Sequence, residues 1–120
     1  MGIVEKGSVS ETLEPWIYVA FASGQYVECL IDTGFAGPLC LPRSMAEELG
    51  LTVLSEVEIF GVGKHREMVG VAVTNIVWFG EVIETEILLN DGEDRLLGSA
   101  LLADKTLTIN YKKGTVVIKE

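Results

Sequence analysis

Histidine is almost absent from this chain, and cysteine, proline and basic residues are few; each shortage removes a class of function. The one histidine, His65, lies in the glycine-rich run Gly61-Val62-Gly63-Lys64-His65, which reads as a hairpin tip. Nothing in the sequence brings a Ser or Cys nucleophile to that imidazole, and a solvated loop residue is its plainer role. The two cysteines, Cys29 and Cys40, are too isolated to anchor a metal, and the Glu residues are dispersed, so neither metal nor cofactor is expected. They read as two reduced, mostly buried thiols. Nine Lys and Arg stand against 18 Asp and Glu, for a net charge of −9. The basic residues are scattered from Lys6 to Lys119 with only Lys112-Lys113 adjacent, which leaves no footprint for nucleic acid. No uninterrupted apolar run approaches the roughly 18 residues of a membrane helix. The opening Met1 to Ser8 lacks the basic-then-apolar order of a secretory signal, so a cytoplasmic location without a membrane partner is expected.

What the chain has in quantity is β-forming apolar sequence. Its 120 residues are 48% hydrophobic, which suits one domain over 1–120. Alternation and β-branched or aromatic enrichment predict strands at 15–22, 25–31, 53–60, 67–79, 82–89, 106–111 and 115–119. Short turn-like separators stand between several of them: Ser23-Gly24, Gly80-Glu81 and Lys112-Lys113-Gly114. Only 42–49, with Pro42 in its first turn and Gly50 as a stop, and about one turn after Gly98 look helical. The polar stretch 90–94 reads as a surface loop. Many short strands with one or two minor helices predict an all-β domain, closed or sandwiched. A faint echo links Leu30-Ile31-Asp32-Thr33-Gly34 to Arg95-Leu96-Leu97-Gly98-Ser99, either as a mark of two related halves or as coincidence in a Leu- and Gly-rich chain.

Asp32 closes an apolar-leaning strand and opens a sharp Thr33-Gly34 turn. A carboxylate held there by turn amides can be kept still and partly desolvated, which suits acid/base work. On the tripeptide alone the plainer reading is an Asx-type turn that satisfies only the backbone. Gly63-Lys64 lacks the upstream glycine spacing and the following Ser or Thr of a phosphate loop, and Glu84 with Glu86 reads as a solvated strand face.

Taken together, Leu30-Ile31-Asp32-Thr33-Gly34-Phe35-Ala36-Gly37, then Leu39-Cys40-Leu41-Pro42, then Arg95-Leu96-Leu97-Gly98-Ser99-Ala100-Leu101-Leu102 resemble the single-domain aspartic peptidases. These are the retropepsin-like proteins of clan AA, especially the small prokaryotic ones. The similarity runs from about Trp16 to Ile118 and includes the closing Thr106 to Tyr111 strand with its Lys-Lys-Gly turn. The resemblance implies a closed, mostly antiparallel acid-protease barrel with one or two short helices. It further implies a homodimer in which Asp32 of each copy supplies half of a catalytic pair acting on a peptide or protein substrate. Thr33 would hydrogen-bond across the dimer axis, and Gly34 would let the turn amides approach the carboxylates. Phe35, Ala36 and Gly37 would border the substrate channel, narrowed by Phe35 where retroviral enzymes carry a small residue. Gly61, Val62 and Gly63 would form the flap tip, and Leu96, Leu97 and Gly98 would support the catalytic loop from below. Two carboxylates held together share one proton, so the chemistry calls for no metal or covalent intermediate. Two other readings stay open: a non-catalytic dimeric module that binds peptides or proteins in the same cleft, and a regulatory partner of another chain.

Overall fold

A computed structural model describes residues 2–60 and 66–120 of the chain. Strands occupy β1 (Val4–Val9), β2 (Pro15–Phe21), β3 (Tyr26–Ile31), β4 (Leu39–Pro42), β5 (Ser55–Phe60), β6 (Arg66–Trp78), β7 (Glu81–Asn90), β8 (Leu96–Leu97), β9 (Thr106–Asn110) and β10 (Thr115–Lys119). They lie in the order β5-β6-β7-β4-β8-β3-β2-β1-β10-β9, and a further β2–β6 pairing joins Ala20 to Val77 and Phe21 to Ile76. That contact closes the six strands from β6 to β2 into a ring. Its neighbours are antiparallel except β3 with β8 and β4 with β7, which run parallel. The all-β, closed and mostly antiparallel architecture expected above is what the chain adopts.

Alternation explains the ring. Ile17, Val19 and Phe21 of β2 and Val27, Cys29 and Ile31 of β3 point inward and are buried, whereas Tyr18 and Tyr26 between them are exposed. With Leu39, Leu41, Ile76, Ile87, Leu89 and Leu97 they form one continuous core. The residues that alternate with these, such as Leu30, Cys40 and Leu96, face the other way, and on β3, β8 and β4 that outer face becomes the candidate site.

Three features differ from the sequence reading. The stretch 42–49 forms only a three-residue 3-10 turn, Arg43–Met45. Pro42 belongs to β4 and makes no side-chain cap, and the Leu51 N–H closes onto the Ala46 carbonyl at 2.7 Å, so the run is too short to propagate as a helix. β1, β4 and β8 carry little signal of their own. β1 has no fully buried residue, and β8 is two residues long; neighbours define both. The β6–β7 turn is Phe79-Gly80 rather than Gly80-Glu81, because Trp78 pairs with Glu81. Both turn residues have positive φ, 53° and 76°, as a two-residue hairpin requires. An aromatic is costly in that conformation, and its surroundings offset the cost: the ring meets Trp78 edge-on at 5.2 Å and lies under the Lys105 ammonium at 4.9 Å, while its N–H donates to Glu5 Oε2.

Candidate active site

Asp32 lies one residue beyond β3. Its N–H donates to the Leu97 carbonyl at 2.9 Å, as that of Leu30 donates to the Arg95 carbonyl at 2.8 Å, so the parallel ladder to β8 carries on through the aspartate. Alternation places its side chain on the outer face with Leu30, away from the core. The carboxylate is half-buried, and its Oδ1 accepts the Gly34 N–H at 2.9 Å. The Phe35 N–H closes the turn onto the Asp32 carbonyl at 3.1 Å. The Asx-type turn is therefore present, and the same turn holds a carboxylate oxygen still at the sheet's end.

The two echoing segments lie side by side: Leu30 pairs with Leu96 and Ile31 with Leu97. Beyond β8, the amides of Gly98, Ser99 and Ala100 donate to the carbonyls of Pro38, Phe35 and Gly37 at 2.9, 2.8 and 3.4 Å. A short 3-10 turn, Ser99–Leu101, thus feeds its free N–H groups into the loop after Asp32, and Trp78 Nε1 anchors that turn through the Leu101 carbonyl. The Phe35 ring folds over Gly37 and Gly98. A Cβ on Gly98 would stand 2.1 Å from the Gly37 oxygen and 2.5 Å from the Phe35 oxygen, and one on Gly37 would meet the Phe35 ring at 2.6 Å. Only glycine permits this contact at Gly98, because two of the obstructing atoms are backbone.

Two hollows border the turn after β3, one lined by Asp32 itself and the other by Phe35. A cavity of about 430 Å³ is bordered by Leu13, Glu14, Leu30, Asp32, Thr33, Ile109 and Tyr111. A narrower one of about 210 Å³ lies between the β5–β6 hairpin and the outer face, with Phe35, Cys40, Leu88 and Leu96 on one side and Ile59, Glu67 and Val69 on the other. The last residue of β7, Asn90, and Asp94 of the loop after it complete the wall. Asn90 organises that loop: its Oδ1 accepts the Gly92 N–H at 2.8 Å, and its Nδ2 donates to the Asp94 carbonyl at 3.0 Å and to Cys40 Sγ at 3.2 Å.

The cysteines are free thiols on opposite faces. Burial pushes Cys29 up to about 12 against an opposing pull from Arg95. Cys40 is half-buried; burial raises its pKa too, the Asn90 hydrogen bond works against this, and the nearby Asp94 and Glu67 charges add to the rise. Neither thiol is an activated nucleophile. Among the described residues, no three His, Cys, Asp or Glu side chains gather to hold a metal ion, and no helix is long and apolar enough to cross a membrane.

No family model matches the sequence, and no curated protein does. Solved structures do match. A retropepsin-like aspartic protease from Rickettsia conorii superposes with a TM-score of 0.65 at 16% identity, over 96% of this chain and 89% of its own. The EIAV protease in complex with the inhibitor HBY-793 gives 0.62 at 23% identity, over 76% of this chain and 86% of its own. The chain has a retropepsin-like fold. A foamy viral protease-reverse transcriptase, solved with an RNA/DNA hybrid, also matches, at 0.55 and 16% identity, over 76% of this chain and 12% of its own.

On this retropepsin-like frame Asp32, Gly34, Phe35, Gly37, Leu97 and Gly98 form one hydrogen-bonded and packed unit. Thr33 and Ala36 are exposed beside it. Leu97 sits in the core, and Leu96 lines the narrower cavity. Gly61, Val62 and Gly63, expected at the flap tip, lie outside the described residues, as does His65. Sequence reasoning missed Arg43, which bridges Glu56 of β5 (2.7 and 3.1 Å) and Asp91 of the loop after β7 (3.0 Å). It also missed Asn90, Glu67 and Asp94 around the narrower cavity. The Asn-Asp-Gly run was the available signal for the Asn90 turn; nothing local pointed to the Arg43 contacts, which span 13 and 48 residues.

Proposed function

We propose that the chain is an aspartic endopeptidase acting as a homodimer, with Asp32 of each copy forming a shared pair. The observation that carries this reading is the half-buried Asp32 carboxylate, fixed through Oδ1 by the Gly34 amide at the end of a strand locked to β8. Arithmetic and surface together support homodimerisation. The chain has one Asp-Thr-Gly, and the hollow beside Asp32 is rimmed by Leu13 and Tyr111, which are 65% and 56% exposed. A second copy seated there would bury both and bring the second carboxylate.

The chemistry is then general acid/base. One carboxylate takes a proton from a water molecule whose oxygen bonds to the scissile carbonyl carbon; its protonated partner donates to the carbonyl oxygen. Collapse of the tetrahedral adduct breaks the C–N bond as one of its hydroxyls returns a proton to the partner carboxylate, and the proton taken from water passes to the leaving amine. Thr33 and Gly34 serve as positioning residues, and Phe35 borders the channel.

Asp32→Ala tests the proposal. Peptide cleavage by the purified variant should vanish while circular dichroism and the sedimenting mass stay those of the parent. Cleavage at the parental rate would overturn the assignment, and a parent that stays monomeric at high concentration would overturn the shared pair. Specific peptide binding without turnover by the parent would favour the non-catalytic module.

A further inference from the structure

The narrower cavity, lined by Phe35 three residues after Asp32, has a composition that points to one kind of occupant. Its walls are apolar: Phe35, Leu88 and Leu96 on the sheet side and Ile59 and Val69 on the hairpin. At its rim stand two carboxylates, Glu67 and Asp94, both exposed. Of the acids nearby, Glu56 and Asp91 are matched by Arg43 and Glu58 by Arg66, whereas Glu93, next to Asp94, adds a further negative charge with no ion pair among the described residues. Glu67 and Asp94 have no ion-pair partner among the described residues. The cavity also adjoins the catalytic loop directly. Leu96 pairs with Leu30, two residues before Asp32, and Phe35 is bonded through its N–H to the Asp32 carbonyl.

An apolar shaft with an unmatched negative rim suits a long aliphatic stem that ends in a cation. The stem removes apolar surface from water along the walls, and the charged head stays hydrated at the mouth, where it meets the two carboxylates. We infer that this cavity receives a lysine or arginine side chain of the bound peptide next to the bond that is cut. An acidic side chain would be repelled at the same rim, so the pocket selects by charge as well as by length. The inference rests on the reading of the Asp32 face as a peptide cleft.

Binding and cleavage separate the two readings. Fluorescein-labelled octapeptides of one apolar sequence, with lysine, norleucine or glutamate at the fourth position, are titrated against Asp32→Asn protein and offered to the parent as substrates. Norleucine keeps the stem of lysine and lacks the charge. The lysine peptide should bind at least tenfold more tightly than the norleucine peptide, and the glutamate peptide least well. In an Asp32→Asn background, Glu67→Gln with Asp94→Asn should bring the lysine and norleucine peptides within twofold of each other. High salt should erode the lysine preference in the unmodified rim. Equal binding of lysine and norleucine, or a preference that survives the double substitution, overturns the inference. Lysine-dependent binding without cleavage by the parent upholds the pocket and overturns the peptidase reading instead.

Discussion

Around Asp32 the turn after β3 is held by main-chain hydrogen bonds, whereas beside the neighbouring pocket β5 is tied to the loop after β7 by charged side chains. On the loop side, five main-chain hydrogen bonds of 2.8 to 3.4 Å tie Asp32 to Leu97, Phe35 to Asp32, and Pro38, Phe35 and Gly37 to the amides of Gly98 to Ala100. Gly98 lets the strands close to a distance that a Cβ would forbid. On the hairpin side, the link between β5 and the loop after β7 is the Arg43 guanidinium. Hydrogen bonds to Glu56 and then Asp91 raise its pKa above its ordinary value. The partners are 44% and 72% exposed, so water and salt reach the contact. The difference separates two requirements. A carboxylate that moves protons must stay within a fraction of an ångström, and main-chain hydrogen bonds supply that. A wall that admits and releases a side chain needs to be set rather than locked, and a screened ion pair supplies that.

The contrast breaks most visibly at Gly98. Its φ of −102° suits any residue, so Gly98→Ala isolates the steric clash with the Gly37 and Phe35 oxygens. The expected loss is about 3 kcal/mol of unfolding free energy, read from urea titration, together with loss of cleavage. A loss under about 1 kcal/mol would show that the loop side is not sterically set.

A second effect, confined to alkaline pH, lies in the core at Cys29. Its thiol is pushed from 9.0 up to about 12 in the folded chain, so above pH 9 the unfolded chain gives up a proton that the folded one keeps. The folded state then binds more protons, and stability contributed below pH 9 is lost as pH rises from 9 towards 12. The slope from this one group is up to about 1.4 kcal/mol per pH unit. Cys29→Ala should flatten stability against pH in that window relative to the parent, whatever it costs in packing. Identical slopes would remove Cys29 as the cause.

The smallest effect on stability is expected at Arg43. Arg43→Ala should scarcely move the thermal midpoint, because both ion pairs are open to solvent. It should nonetheless weaken peptide discrimination, since β5 and the loop after β7 lose their common tether. A large drop in Tm with unchanged discrimination would invert the comparison.

Much of the loop side was legible beforehand. The apolar run into Asp32-Thr33-Gly34 and the later Leu96-Leu97-Gly98 could be picked out because turn chemistry and apolar runs are local. Their adjacency was visible only as an echo, and the β3–β8 pairing gives the echo its physical sense. The hairpin side was not legible. Arg43, Glu56 and Asp91 carry no periodicity, and 42–49 read as a helix because propensity says nothing of the β4 strand that claims Pro42. Cys40 read as a mostly buried thiol like Cys29, yet alternation turns it to the outer face, where it is only half-buried.

Alternating side chains and turn residues, which act over a few positions, determined by themselves that this chain would form an all-β structure with one carboxylate at a strand end. Tertiary structure alone decided what surrounds that carboxylate. Which strands lie beside β3, how closely Gly98 approaches Gly37, and which acids among the described residues are left without a cation all depend on contacts between segments far apart in sequence. Pairing across such distances is set by the closure of the ring and the shared core, and no local pattern encodes it.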